Sequence, residues 1–140
     1  MSYRVLKAAD AFWRPSNMLK VDNTDLAKQL EADTLGARLW RLKPGQWSTK
    51  HRHTQASEMY VLLEGTGKLR IGDEVLTLDY LDAVWVEPDT VRQPFNDTDA
   101  DQLWLVVGAP VEKADTTTMS EEEIEFRYPD GPKVPPPELA

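Results

Sequence analysis

The sequence has no cysteine, which excludes a disulfide framework, thiolate metal sites and a thiol nucleophile. It has no run of Lys or Arg. Sixteen basic residues stand against 24 acidic ones, a formal net charge of −8, and such a chain is poorly suited to phosphate backbones or anionic lipid. Long apolar runs are missing too. None exceeds the length of Leu103–Val107, which falls far short of the ~20 residues that span a bilayer. The opening stretch MSYRVLKAADAFWRP shows no apolar core of the signal-peptide kind. These absences predict a cytoplasmic protein that takes neither nucleic acid nor membrane as a partner. Histidine is scarce, with two in 140 residues, so the place where both occur carries weight.

Hydrophobic residues make up 41% of the chain, enough for one buried core. Composition divides the chain into three zones. Residues 1–33 are mixed, and Asn23-Thr24-Asp25 before LAKQLEA reads as a polar cap opening a short helix. Residues 34–112 carry seven short strand signals separated by Gly, Pro and Asp turns: LGARLWRL, SEMYVLLE, GKLRIG, EVLTL, DAVWVE, VRQPFN and DQLWLVVG. Closely spaced strands without intervening helices predict an all-β antiparallel sandwich or barrel. Within them, core packing is expected for most of Trp40, Trp85 and Trp104. Residues 113–140 form an acidic, Pro-rich tail, with five of the ten prolines between Pro129 and Pro137. Two readings of it stand open. It is a solvated tail with one capped turn at Ser120, or it packs across its own barrel or a neighbouring subunit. In the second case Ile124, Phe126 and Tyr128 alternate as an added edge strand would.

Both histidines lie in one segment, His51-Arg-His53-Thr-Gln-Ala-Ser-Glu58. Residues i and i+2 of an extended segment share a face, so His51 and His53 can converge on one ion, and Glu58 can lie beside them at the start of the next strand. Two neutral imidazoles and a carboxylate suit one divalent transition metal, Fe, Mn, Ni or Zn. A lone His-x-His pair arises readily by chance, but here chance must also account for the acid at 58 and the flanking Gly45 and Gly65. Tyr60, two residues beyond Glu58, is predicted to face the same interior, as a hydrogen-bond donor, a proton relay or a simple filler of the barrel.

The stretch Gly45-x5-His51-x-His53-x4-Glu58-x6-Gly65 resembles the first motif of the cupin superfamily, and DAVWVEPDTVRQPFN resembles its second. The resemblance covers roughly residues 35–110. It implies a double-stranded β-helix, the jelly-roll barrel, with a metal inside its mouth and a homodimeric assembly. The second motif departs from the family pattern. Arg92 stands where the fourth ligand, a histidine, would be, with Pro88 and Asn96 in phase; a gap of one residue would put Gln93 there. Arginine cannot coordinate a metal. Either the three remaining ligands hold the ion and Arg92 clamps a carboxylate or enolate substrate, or Arg92 pairs with Glu58 and replaces the metal's charge. Trp47 and Gln93 are further residues expected near the pocket. The resulting expectation is a metal-dependent enzyme of dioxygenase, isomerase or lyase type acting on a small anion. The alternative is a non-catalytic binding or sensing module.

Overall fold

The structure, a computed structural model, describes residues 2–112 and 115–140. Nine strands form two antiparallel sheets. The larger contains six strands in the order β1-β2-β3-β9-β4-β7, and the smaller contains three in the order β6-β5-β8. The strands are β1 (Arg14–Pro15), β2 (Asp22–Asp25), β3 (Gly36–Leu42), β4 (Ser57–Glu64), β5 (Gly67–Ile71), β6 (Glu74–Leu78), β7 (Ala83–Val86), β8 (Arg92–Phe95) and β9 (Gln102–Ala109). The last seven coincide with the seven strand signals of the sequence, and the chain folds as the expected jelly-roll barrel.

Alternation along the strands builds the core. Tyr60 and Leu62 of β4, Leu69 of β5, Val86 of β7 and Trp104 of β9 are each buried, and with Val21, Leu42 and Leu78 they form one apolar cluster. Burying each such side chain contributes about 1.5–3 kcal/mol. Trp104 is admitted by Gly67 on the opposite sheet, where a Cβ would stand 2.4 Å from the Trp104 Cζ2 atom. Of the other two tryptophans, Trp40 is partly buried against the cluster, whereas Trp85 is 63% exposed on the outer face. Period-two alternation puts Trp85 opposite in direction to the buried Val86, so it was the parity of β7 that decided its place.

A bulge in β4 separates the site-bearing part of the strand from its exposed end. Leu62 pairs with Trp104 and Glu64 with Leu103, leaving Leu63 as the extra residue. Unbroken alternation would have turned Glu64 into the core; instead it reaches Arg41 on the outside, 3.1 Å away.

Outside the seven expected strands, the N-terminal zone does more than form a helix. Residues Asp22–Asp25 pair with Leu39–Arg41 and Arg38 of β3, and Arg14–Pro15 pair with them in turn, so the zone extends the larger sheet. Asp25 ends β2 and caps the helix α1 (Leu26–Gln29), its side chain accepting from the Lys28 amide at 2.9 Å.

The C-terminal zone corrects the edge-strand reading. Glu121–Arg127 is a helix, α2, whose N-cap Ser120 accepts from the Glu123 amide at 3.1 Å. The charge run Glu121–Glu123 occupies its first turn, where acidic groups complement the unpaired amides. Ile124, Phe126 and Tyr128 therefore do not alternate across a sheet. The segment nonetheless lies across its own barrel: the Gln93 side chain donates to the Val134 carbonyl at 2.9 Å, and Lys50 pairs with Asp130 at 2.6 Å. This cover explains why all four residues of β8 are buried.

Candidate metal centre

The loop between β3 and β4 delivers both histidines. It runs antiparallel beside β8, with Trp47 bridged to Phe95 and His51 to Arg92. His51 and Arg92 exchange both backbone hydrogen bonds, at 3.0 and 2.9 Å, which fixes their side chains on one side of the ladder. Gly45, with φ of +79°, makes the turn that starts this run. Glu58 enters from β4, opposite Gly108 of β9.

The structure brings His51, His53 and Glu58 together, with one ligand atom from each within 4.8 Å of the others. The Nε2 atoms of His51 and His53 lie 3.4 and 3.2 Å from the Glu58 Oε1, and the rings meet edge to face with centroids 5.0 Å apart. Each imidazole has an acceptor behind it. The Thr49 carbonyl lies 3.0 Å from the His51 Nδ1, and the Glu112 carboxylate 3.1 Å from the His53 Nδ1. Protons on both Nδ1 atoms satisfy those acceptors and leave lone pairs on both Nε2 atoms. Among the described residues the buried His53 Nε2 has no hydrogen-bond partner. Two lone pairs and a carboxylate oxygen thus converge on one place, and that donor set fits a divalent cation.

Tyr60 also faces this place, its hydroxyl donating to Glu58 Oε1 at 2.9 Å. Burial, reinforced by the Glu58 charge, pushes the phenol well above its ordinary range, so Tyr60 keeps its proton. At Glu58 burial acts to raise the carboxyl, but hydrogen bonding and charge from His51 and His53, when the imidazoles are protonated, outweigh it and hold the group well below the usual carboxylate range.

Arg92 is fully buried and directed at the same acid. Its Nη1 lies 3.8 Å from Glu58 Oε1, an ion-pair distance too long for a hydrogen bond, and its Nη2 donates to the Glu87 carbonyl at 2.7 Å. Nε and Nη1 have no partner among the described residues. The Arg92 side chain is turned towards Glu58, whereas Gln93 points the other way, donating to the carbonyls of Ser48 and Val134. Trp47 is likewise turned from the centre, its indole N–H meeting the Lys133 carbonyl at 3.3 Å. None of Trp47, Gln93 and Arg92 lines the cavity above the three candidate ligands, so the expectation that Trp47 and Gln93 shape the pocket is not met, and Arg92 stands behind the cavity wall. Trp47 and Gln93 instead hold the C-terminal segment. The cavity has a volume of about 770 Å³ and reaches from His51, His53, Glu58 and Tyr60 past Trp104 and Val106 to Arg38. That size suits a small molecule.

Sequence reasoning missed Glu112 and Arg127. Glu112 stands 54 positions after Glu58 in a zone read as the edge of the barrel, and no local spacing ties it to His53. Its signal was chemical only: a metal-bound imidazole needs an acceptor behind it.

The comparisons with known proteins agree with this fold. The family model described as a cupin domain matches residues 38–108. None of the curated proteins matches the chain. Among solved structures, a sugar phosphate isomerase of the cupin superfamily from Silicibacter pomeroyi is 23% identical with a TM-score of 0.69, covering 77% of this chain and 76% of that one. A predicted oxalate decarboxylase from Thermotoga maritima is 19% identical with a TM-score of 0.68, covering 77% of this chain and all of that one. A cupin protein from Bacteroides fragilis is 21% identical with a TM-score of 0.66, over 86% of this chain and 97% of that one. With the family model spanning half the sequence and the jelly-roll barrel around the paired motifs, this chain belongs to the cupin superfamily.

Proposed function

We propose that the chain is a mononuclear metal-dependent enzyme acting on a small carboxylate or enolate, with His51, His53 and Glu58 as the ligands of one Fe, Mn, Ni or Zn ion. The observation that carries this reading is the convergence of two imidazole lone pairs and the Glu58 Oε1 at the base of a small-molecule cavity. The ion would supply Lewis-acid polarisation of a substrate oxygen, or electrons if it is iron. The chain supplies the rest. Arg92, fully buried behind Glu58 and not itself on the cavity wall, provides a permanent positive charge whose Nε and Nη1 are unpaired, and its field favours an oxyanion at the centre. Tyr60 holds a proton at its hydroxyl oxygen, on Glu58 Oε1.

Two of the solved relatives are named for work on oxygen-rich anions, a sugar phosphate and oxalate. At their low identity they support the fold, and the choice of an anionic substrate rests on Arg92. A dioxygenase, isomerase or lyase reaction follows from which ion is held. A cytoplasmic location and a homodimer belong to the same proposal. The dimer is supported by the outer face of the larger sheet, where Met59 and Trp85 stand opposite one another, 37% and 63% exposed.

Elemental analysis of purified protein tests the reading. About one transition metal per chain is expected, lost in His51→Ala, while Arg92→Ala retains it and binds carboxylates more weakly. Native protein that neither carries nor takes up Mn, Fe, Ni or Zn would overturn it. In that case the 3.8 Å approach of Arg92 to Glu58 favours a metal-free module that binds small anions without transforming them.

A further inference from the structure

The loop that carries the histidines is held from outside by the C-terminal segment, contact by contact. The Trp47 indole donates to the Lys133 carbonyl, Lys50 pairs with Asp130, and the Arg52 amide donates to the Arg127 carbonyl at 3.0 Å. The Arg52 guanidinium donates to the Phe126 carbonyl at 2.6 Å and lies 4.1 Å from the centre of the Phe126 ring. The order is antiparallel, so α2 and the residues after it track the loop along its length.

Where the track reaches His53 it meets Glu112. One oxygen of that carboxylate accepts from the amides of Gln55 and Ala56 at 2.7 and 3.1 Å. The other accepts from the Thr54 amide at 2.9 Å and from Arg127 Nη2 at 2.7 Å, and lies 3.1 Å from His53 Nδ1. Five donors around one carboxylate leave it a single pose. Arg127 Nη1 also stands 3.3 Å from His53 Nδ1. Only one proton can lie between a pair of such nitrogens, and the nearer, anionic Glu112 takes precedence as the acceptor. Arg127 is itself buried.

We propose that Glu112 is a positioning residue that fixes the tautomer and orientation of His53, and that Arg127 of the C-terminal helix locks Glu112 in place. The inference rests on the metal reading for its consequence but not for its geometry. With its proton on Nδ1 held by Glu112, His53 presents the Nε2 lone pair to the centre. Such acceptors behind a ligating histidine govern metal affinity by roughly 10–100-fold. Glu112→Gln puts an amide NH2 among groups that are already donors, so in either orientation it opposes the arrangement.

The test uses the full chain. Titration with Co2+ gives the affinity and, through its visible absorption, the coordination; imidazole nitrogen NMR on the metal-free protein gives the tautomer, with only two histidines to assign. Wild type is expected to show the Nδ1–H form of His53, and Glu112→Gln to lose that preference and bind Co2+ at least 10-fold more weakly. Arg127→Met, which leaves the carboxylate in place, is expected to lose several-fold and serves if Glu112→Gln does not fold. Unchanged affinity and tautomer in the folded variants would overturn the proposal. Wild type that binds no Co2+ sinks the metal reading alone, because the tautomer then still decides whether Glu112 governs His53.

Discussion

Gly108 and Glu58 stand opposite each other where β9 meets β4, and a Cβ on Gly108 would lie 3.3 Å from both the Glu58 Cγ and the Ser57 carbonyl oxygen. The acid reaches the centre through space that a side chain at 108 would fill. Gly108→Ala is expected to cost about 1–3 kcal/mol by overpacking and to weaken metal binding. Gly108→Val should remove metal binding altogether while the rest of the barrel still folds. Thermal denaturation and metal titration of the two variants check this.

Asn96, in phase with the second family motif, is fully buried and has both ends of its amide occupied. Its Nδ2 donates to the carbonyls of Leu42 and Ala100, and its Oδ1 accepts from the Thr98 amide and hydroxyl. It ties the turn after β8 to the end of β3. Asn96→Ala leaves the buried Leu42 carbonyl without that donor, for a loss of about 1–3 kcal/mol. Chemical denaturation should show the loss, with metal stoichiometry unchanged.

Acid should loosen the C-terminal segment from the histidine loop in metal-free protein. At Glu112 burial acts to raise the carboxyl, but the amides of Thr54, Gln55 and Ala56 and the charge of His53 bring it down to about 2 from an ordinary 4.5. A depressed carboxyl contributes stability that is complete above its unfolded value and disappears as pH falls towards its folded one. The groups facing it are His53 and Arg127. The stability difference between wild type and Glu112→Gln is therefore expected to shrink between about pH 4.5 and about pH 2. Urea unfolding across that range reads it, and a difference that grows on acidification would contradict the assignment.

If two copies pair through the outer face of the larger sheet, Trp85 stands at the contact. Trp85→Glu is expected to give a monomer with an unaltered metal content, because the side chain points away from the centre. Sedimentation equilibrium of the two proteins checks it; a monomeric wild type contradicts the dimer.

The barrel was legible because its strands advertise themselves. Apolar alternation in SEMYVLLE and DQLWLVVG, closed by Gly and Pro turns, is a local property that needs no knowledge of partners. The three candidate ligands were legible for the same reason, since His51, His53 and Glu58 fall within eight consecutive residues. What escaped depends on distant contacts. Asp22–Asp25 is a strand only because β3 offers it an edge; its own residues are poor strand formers. Ile124, Phe126 and Tyr128 satisfy a period of two by coincidence, while Ser120 and the acids after it satisfy the demands of a helix start. Trp47 and Gln93 were placed correctly along the loop and β8, but the side they face was settled by the C-terminal segment that binds them.

The family match ends at residue 108, whereas the groups that grip His53 come at 112 and 127. Two chains with the same barrel and the same ligand triad can therefore differ in how rigidly they seat an ion, by changes confined to an appendage that no barrel-based grouping compares. On this proposal the C-terminal segment is part of the centre's scaffolding, and trimming it or fusing a tag there is expected to weaken metal binding rather than merely shorten a tail.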